Sequence, residues 1–193
     1  MPSDWLTTAV LPITIIPAGQ VLYRIHLDPV FYGPGAGNDP VYRFDSASGR
    51  FGVLYVSRTF AGAFAETILR NPQRLMVAER EIGSRSVTEL VNRFDLRMVT
   101  MHGPGLQALG TDNSISTGPY ESCGAWADAL RDHPEAPDGI AYLSRHDPAE
   151  ICLAVFECGR IRFDVNTTHP LATMQGEVAS LLNRYGNSLI TDM

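Results

Sequence analysis

Short β-rich runs, bounded by glycine, proline or asparagine, alternate irregularly with helical segments along this 193-residue chain. That alternation constrains the fold more than any other feature. A strand over 21–26 leads towards an irregular loop, GPGAGNDP, at 33–40. A second strand over 53–57 precedes a helix over 59–70, with Thr59 as its N-cap and Asn71-Pro72 as its stop. A strand at 97–101, a Gly-, Pro- and Ser-rich stretch over 103–119 and a helix over 120–131 follow. Strands at 140–143, 151–156 and 160–165 and a helix over 173–185 complete the pattern. There is no repeat and no dividing linker, so the expectation is one α+β domain over 1–193.

Composition narrows the function without choosing it. Apolar residues make up 45% and charged residues 19%, which are globular values. A net charge of −6 argues against a nucleic-acid backbone as partner, because phosphates call for a basic face. Every basic residue is arginine. Schiff-base chemistry and the lysine of a P-loop are therefore excluded, while planar forks suited to phosphate remain. The three cysteines form no CxxC pair, as expected of a reduced compartment. The apolar run 9–16 is broken by Pro12 and has no basic residue before it, so neither a signal peptide nor a membrane span is expected. The expected location is the cytoplasm.

Several familiar chemistries lack their motifs. The GxG inside 33–40 is followed by Asp39-Pro40 rather than a helix, which removes the dinucleotide fingerprint. The histidines have no HExxH or paired spacing, so no metal is expected. No GxSxG occurs. Cys152 or Cys123 with His146 remains a conceivable nucleophile pair, but ICLAVFE reads as buried packing around Cys152.

Five polar residues stand out among apolar, aromatic and glycine positions. They are Arg24 in VLYRIH, Arg43 in VYRFD, Tyr55 in GVLYVS, Glu66 in AGAFAETIL and Ser144 in GIAYLSRH. Together they can grip a pyrophosphate, stack on a flat ring and stabilise a cationic sugar, the three needs of the nicotinamide–ribose bond of NAD. Singly, each has a plainer reading. Glu66 and Arg70 make a solvated (i, i+4) pair, Arg24 and Arg43 lie on the surface, Tyr55 is a core aromatic and Ser144 a strand-end turn residue.

The order of these residues resembles the RES family, named for an arginine, a glutamate and a serine. The resemblance runs from LYRIH through RFDSASGRFGVLYVSRTFAGAFAET to WADALRDHPEAPDGIAYLSRHDPAEICLAVFE, with the core motifs at about 21–162. It implies an ADP-ribosyltransferase-like fold, a split, curved mixed sheet with flanking helices. It implies NAD as substrate, cleaved by hydrolysis or phosphorolysis without a further cofactor. Protein ADP-ribosylation and non-catalytic nucleotide binding are the alternatives. Catalytic roles carry over onto Glu66, Arg24 and Ser144, and substrate contacts onto Arg24, Arg43, Tyr55 and Ser144. Phe44-Asp45 stands where many relatives have tryptophan–asparagine. The long interval from Glu66 to Ser144 leaves Ser122 as an alternative holder of the serine role. Members are toxins of bacterial toxin–antitoxin pairs, so the resemblance also implies an Xre-type antitoxin and a homodimer within the complex. The 103–119 stretch is either a contact region for that partner or a variable surface insertion.

Overall fold

The computed structural model describes residues 2, 4–27, 32, 33, 37 and 39–191. Of the irregular loop expected at 33–40, residues 34–36 and 38 lie outside the described residues. The strands are β1 (Ile13–Ile16), β2 (Val21–His26), β3 (Val53–Ser57), β4 (Met76–Ala78), β5 (Ser86–Asn92), β6 (Leu96–Met101), β7 (Gly139–Leu143), β8 (Ile151–Phe156), β9 (Phe163–Pro170) and β10 (Ser188–Ile190). The helices are α1 (Phe60–Thr67), α2 (Glu79–Gly83), α3 (Pro104–Ala108), α4 (Ser114–Thr117), α5 (Tyr120–Arg131) and α6 (Gln175–Arg184). Among the described residues, eight strands form one sheet in the order β1-β6-β7-β8-β3-β2-β5-β9. The β6–β7 pair is parallel and the other neighbours in this sheet are antiparallel. β10 and β4 pair separately, in parallel. The architecture is the expected α+β class with a large mixed sheet.

Several boundaries differ from expectation for local reasons. Thr59 caps α1 as expected, its Oγ1 accepting from the Gly62 amide at 2.9 Å. The helix ends at Thr67 rather than running to 70, with Ile68 as its C-cap; Pro72 has no amide to donate to the Ile68 carbonyl and its ring would clash there. The strand expected at 160–165 lies at Phe163–Pro170, paired with β5 from Asn92↔Phe163 to Ser86↔Pro170 with a register shift between Glu89 and Leu90. β5 itself was not anticipated, so neither was the extent of its partner. The 103–119 stretch contains α3 and α4 rather than only irregular chain.

β8 reads as an unbroken apolar run because both its faces are covered. Ala154 and Phe156 pack with Trp126 and Leu130 of α5, while Leu153 and Val155 meet Leu22, Leu54, Leu90 and Met98 on the opposite side. A third cluster seats α1 and α6, with Phe64 of α1 fully buried among Ile25, Val178 and Leu182. Burying that one phenylalanine stabilises the fold by roughly 1.5–3 kcal/mol.

Two close approaches tighten these layers. A Cβ at Gly139 would lie 2.2 Å from the Ala154 carbonyl oxygen across the β7–β8 pair. A Cβ at Gly62 would lie 2.2 Å from Ser57 Oγ, between α1 and β3. Gly139→Ala is expected to destabilise the protein by about 1–3 kcal/mol through overpacking. Denaturant unfolding reads this as a lowered midpoint at unchanged slope, whereas an unaltered midpoint would mean that β7 and β8 can move apart freely.

Candidate active site

The sheet is nearly parted in its middle. β2 pairs with β5 along its whole length and β3 does the same with β8, yet β2 and β3 share one pair, Tyr23↔Ser57. Next to that pair, Arg24 Nη1 donates to the Tyr55 carbonyl at 3.2 Å, so a side chain spans where ladder bonds would run. A cavity of about 490 Å³ opens over this split. Arg24, Arg43, Tyr55 and Glu66, far apart in sequence, all line it.

Its walls are strongly cationic for a chain of net charge −6. Among the described lining residues, Arg24, Arg43, Arg70 and Arg145 stand against one carboxylate, Glu66, in the charge count. Burial lowers the Arg24 pKa from its ordinary value, with Tyr42 opposing. Arg43 is 9% exposed, its Nη1 donates to the Gly118 carbonyl at 2.9 Å, and its guanidinium lies over the Tyr120 ring at 4.9 Å. That bond ties the end of the 103–119 stretch to the cavity wall. Arg70 does not pair with Glu66. It has left the helix and lies over the Tyr42 ring at 5.2 Å. Among the described residues, neither Arg70 nor Arg145 has an acidic partner.

Glu66 is held from one side. Its Oε1 accepts from Ser144 Oγ at 2.6 Å and from the Arg145 amide at 2.9 Å. Among the described residues, no hydrogen bond reaches Oε2. Ser144 is 2% exposed, and its Oγ also accepts from the amides of His146 and Asp147, both at 3.1 Å. The structure thus brings Ser144 to Glu66 rather than to the cavity surface. Ser122 lies elsewhere, at a small depression with Trp5 and Trp126.

Tyr55 presents its ring and keeps its hydroxyl occupied. Tyr55 Oη donates to Asp45 Oδ1 and accepts from the Phe44 amide, each at 2.9 Å. Asp45, 2% exposed, also accepts from the amides of Val41 and Tyr42 at 2.9 and 2.7 Å. One buried carboxylate therefore shapes the loop that carries Tyr42 and Arg43. Burial raises the pKa of the phenols of Tyr55 and Tyr142, and likewise of the Cys152 thiol. Burial lowers the His146 pKa. Glu66 opposes that shift, and Arg145, Arg70 and Arg43 reinforce it.

Sequence reasoning gave no site role to Tyr42, Arg70, Tyr120, Tyr142 or Arg145, and weighed His146 solely as a metal ligand or cysteine partner. Adjacency was the available signal for three of them, since Tyr42 precedes Arg43 while Arg145 and His146 follow Ser144. Among the described residues, no cluster of three or more His, Cys, Asp or Glu side chains is placed to hold a metal, and no helix is long and apolar enough to cross a membrane.

The fold resembles that of a chain in the crystal structure of the M. tuberculosis MbcT–MbcA toxin–antitoxin complex, with a TM-score of 0.64 and 15% identity. The likeness covers 93% of this chain and all of the other. The RES domain family matches residues 21–173, and the chain belongs to that family. No curated protein matches it in sequence.

Ser144→Ala removes one bond to a charged acceptor and leaves two partly buried amides without their oxygen. A loss of about 1.5–3 kcal/mol is expected, against less than about 0.5 kcal/mol for Ser122→Ala. Equal midpoints for the two variants in chemical denaturation would show that Ser144 does not anchor this corner.

Proposed function

We propose that this protein is the toxin of a bacterial toxin–antitoxin pair and acts by cleaving the nicotinamide–ribose bond of NAD. The observation that carries the reading is the half-held carboxylate of Glu66 within an otherwise cationic cavity. The family membership supports it. Nicotinamide is a good leaving group, so the reaction asks mainly for orientation and charge stabilisation. Glu66 Oε2 accepts from a hydroxyl of the nicotinamide ribose and faces the positive charge that develops as the bond breaks, as carboxylates do in glycoside hydrolysis. Arg24 and Arg43 grip the diphosphate, and Tyr55 packs its ring against nicotinamide. Ser144 acts through Glu66 as a positioning residue: it fixes one oxygen so that the other is aimed.

A carboxamide in place of Glu66 would keep shape and lose charge. Purified protein is expected to release nicotinamide from NAD, followed by chromatography. Glu66→Gln is expected to lower the maximal rate by about 100-fold or more with little change in KM. Undiminished NAD after long incubation with concentrated wild-type protein would end the enzymatic reading.

A cell carrying such an enzyme needs a means of holding it. We infer an Xre-type antitoxin that covers the cavity in a complex built on a homodimer of this chain. Production of the wild-type chain alone is expected to arrest growth, and the neighbouring reading frame to restore it. Normal growth with abundant wild-type protein would count against the toxin role while leaving NAD chemistry open.

A further inference from the structure

The site so far lacks a group to receive the acceptor's proton. His146 lines the same cavity as Glu66, and its amide is fastened to Ser144 Oγ, the hydroxyl that holds Glu66 Oε1. One serine oxygen therefore ties the carboxylate and the His146 backbone to each other. We propose that His146 is the general base of the reaction and that the acceptor it serves is water. This rests on the NAD reading above.

The arginines, the buried phenols and thiol, and Glu66 are unsuited to the task. The four arginines are permanently charged. Burial keeps Tyr55, Tyr142 and Cys152 protonated. Glu66 has Oε1 filled by two donors, while Oε2 serves the ribosyl cation. The charged groups acting on His146 come from three sides: Glu66 on α1 with Arg70 just beyond it, Arg145 beside it, and Arg43 from the 41–45 loop. Burial outweighs the pull of Glu66, and the arginines add to it, so the imidazole is neutral and able to accept a proton.

In the step itself, the bond from ribose C1′ to the nicotinamide nitrogen breaks, and its electron pair leaves with neutral nicotinamide. A water oxygen forms the new bond to C1′. The proton it sheds passes to His146 and then to solvent. The products are ADP-ribose, nicotinamide and one proton. An anionic acceptor such as inorganic phosphate would need no such base.

The test uses the full chain, NAD and phosphate-free buffer, with nicotinamide release measured across pH. The wild type is expected to form ADP-ribose, with a rate that falls on the acid side at a pH below the ordinary histidine value. His146→Gln is expected to lose about 100-fold in maximal rate with KM nearly unchanged, and to lose that acid limb. His146→Gly is expected to recover part of the rate when free imidazole is added, which a folding defect would not allow. Wild-type rate and pH profile in His146→Gln would overturn the proposal. So would a wild type that turns over only with added phosphate and forms a phosphorylated ADP-ribose. An inert wild type would overturn the NAD reading and this inference together, an outcome distinct from an active His146→Gln.

Discussion

A single strand pair, Tyr23↔Ser57, joins the two halves of the sheet, and the cavity exists because the pairing stops there. Backbone groups released from a ladder need other partners when they are shielded from water. Arg24 supplies one for the Tyr55 carbonyl and in doing so sets a cation in the floor of the cavity. The same side chain thus repairs the sheet and equips the site. A neutral residue at this position would leave that carbonyl without this donor as well as remove the charge.

Charge is distributed locally rather than by composition. The protein is acidic as a whole, yet among the described residues four arginines and a single carboxylate line the cavity. Exposed acids elsewhere have arginines of their own, as in Arg50–Asp132 and Arg74–Glu81. Such exposed pairs contribute little to stability. Arg70 and Arg145, by contrast, line the cavity with no acidic partner among the described residues.

The legible parts of the sequence were those where one interaction dominates. Val21–His26, Val53–Ser57 and Ile151–Phe156 are apolar enough to announce strands, and Tyr120–Arg131 carries a full helical stripe. β5 was missed because its polar residues are themselves part of the structure: Thr88 is buried, 2.8 Å from Thr168 Oγ1 and 2.7 Å from His26 Nε2. Four of the five residues singled out line one cavity, and the fifth lies one hydrogen bond behind it. Arg70 was misjudged as the partner of Glu66 because (i, i+4) geometry presumes a helix that in fact stops at Thr67. Asp45 stood out only as a departure from the relatives' asparagine; its role in shaping the loop was not legible, since its partners are amides of its own loop and a hydroxyl ten residues on.

Gly62 sits one helical turn before Glu66, on the same side of α1. With only a hydrogen on its α-carbon, the helix axis settles against Ser57 at a depth that a methyl group would forbid. The reach of the carboxylate is therefore fixed by a side chain that is absent. Any larger residue at 62 would act as a shim, lifting α1 from β3 and drawing Glu66 back from Ser144 without altering a single atom of the site itself.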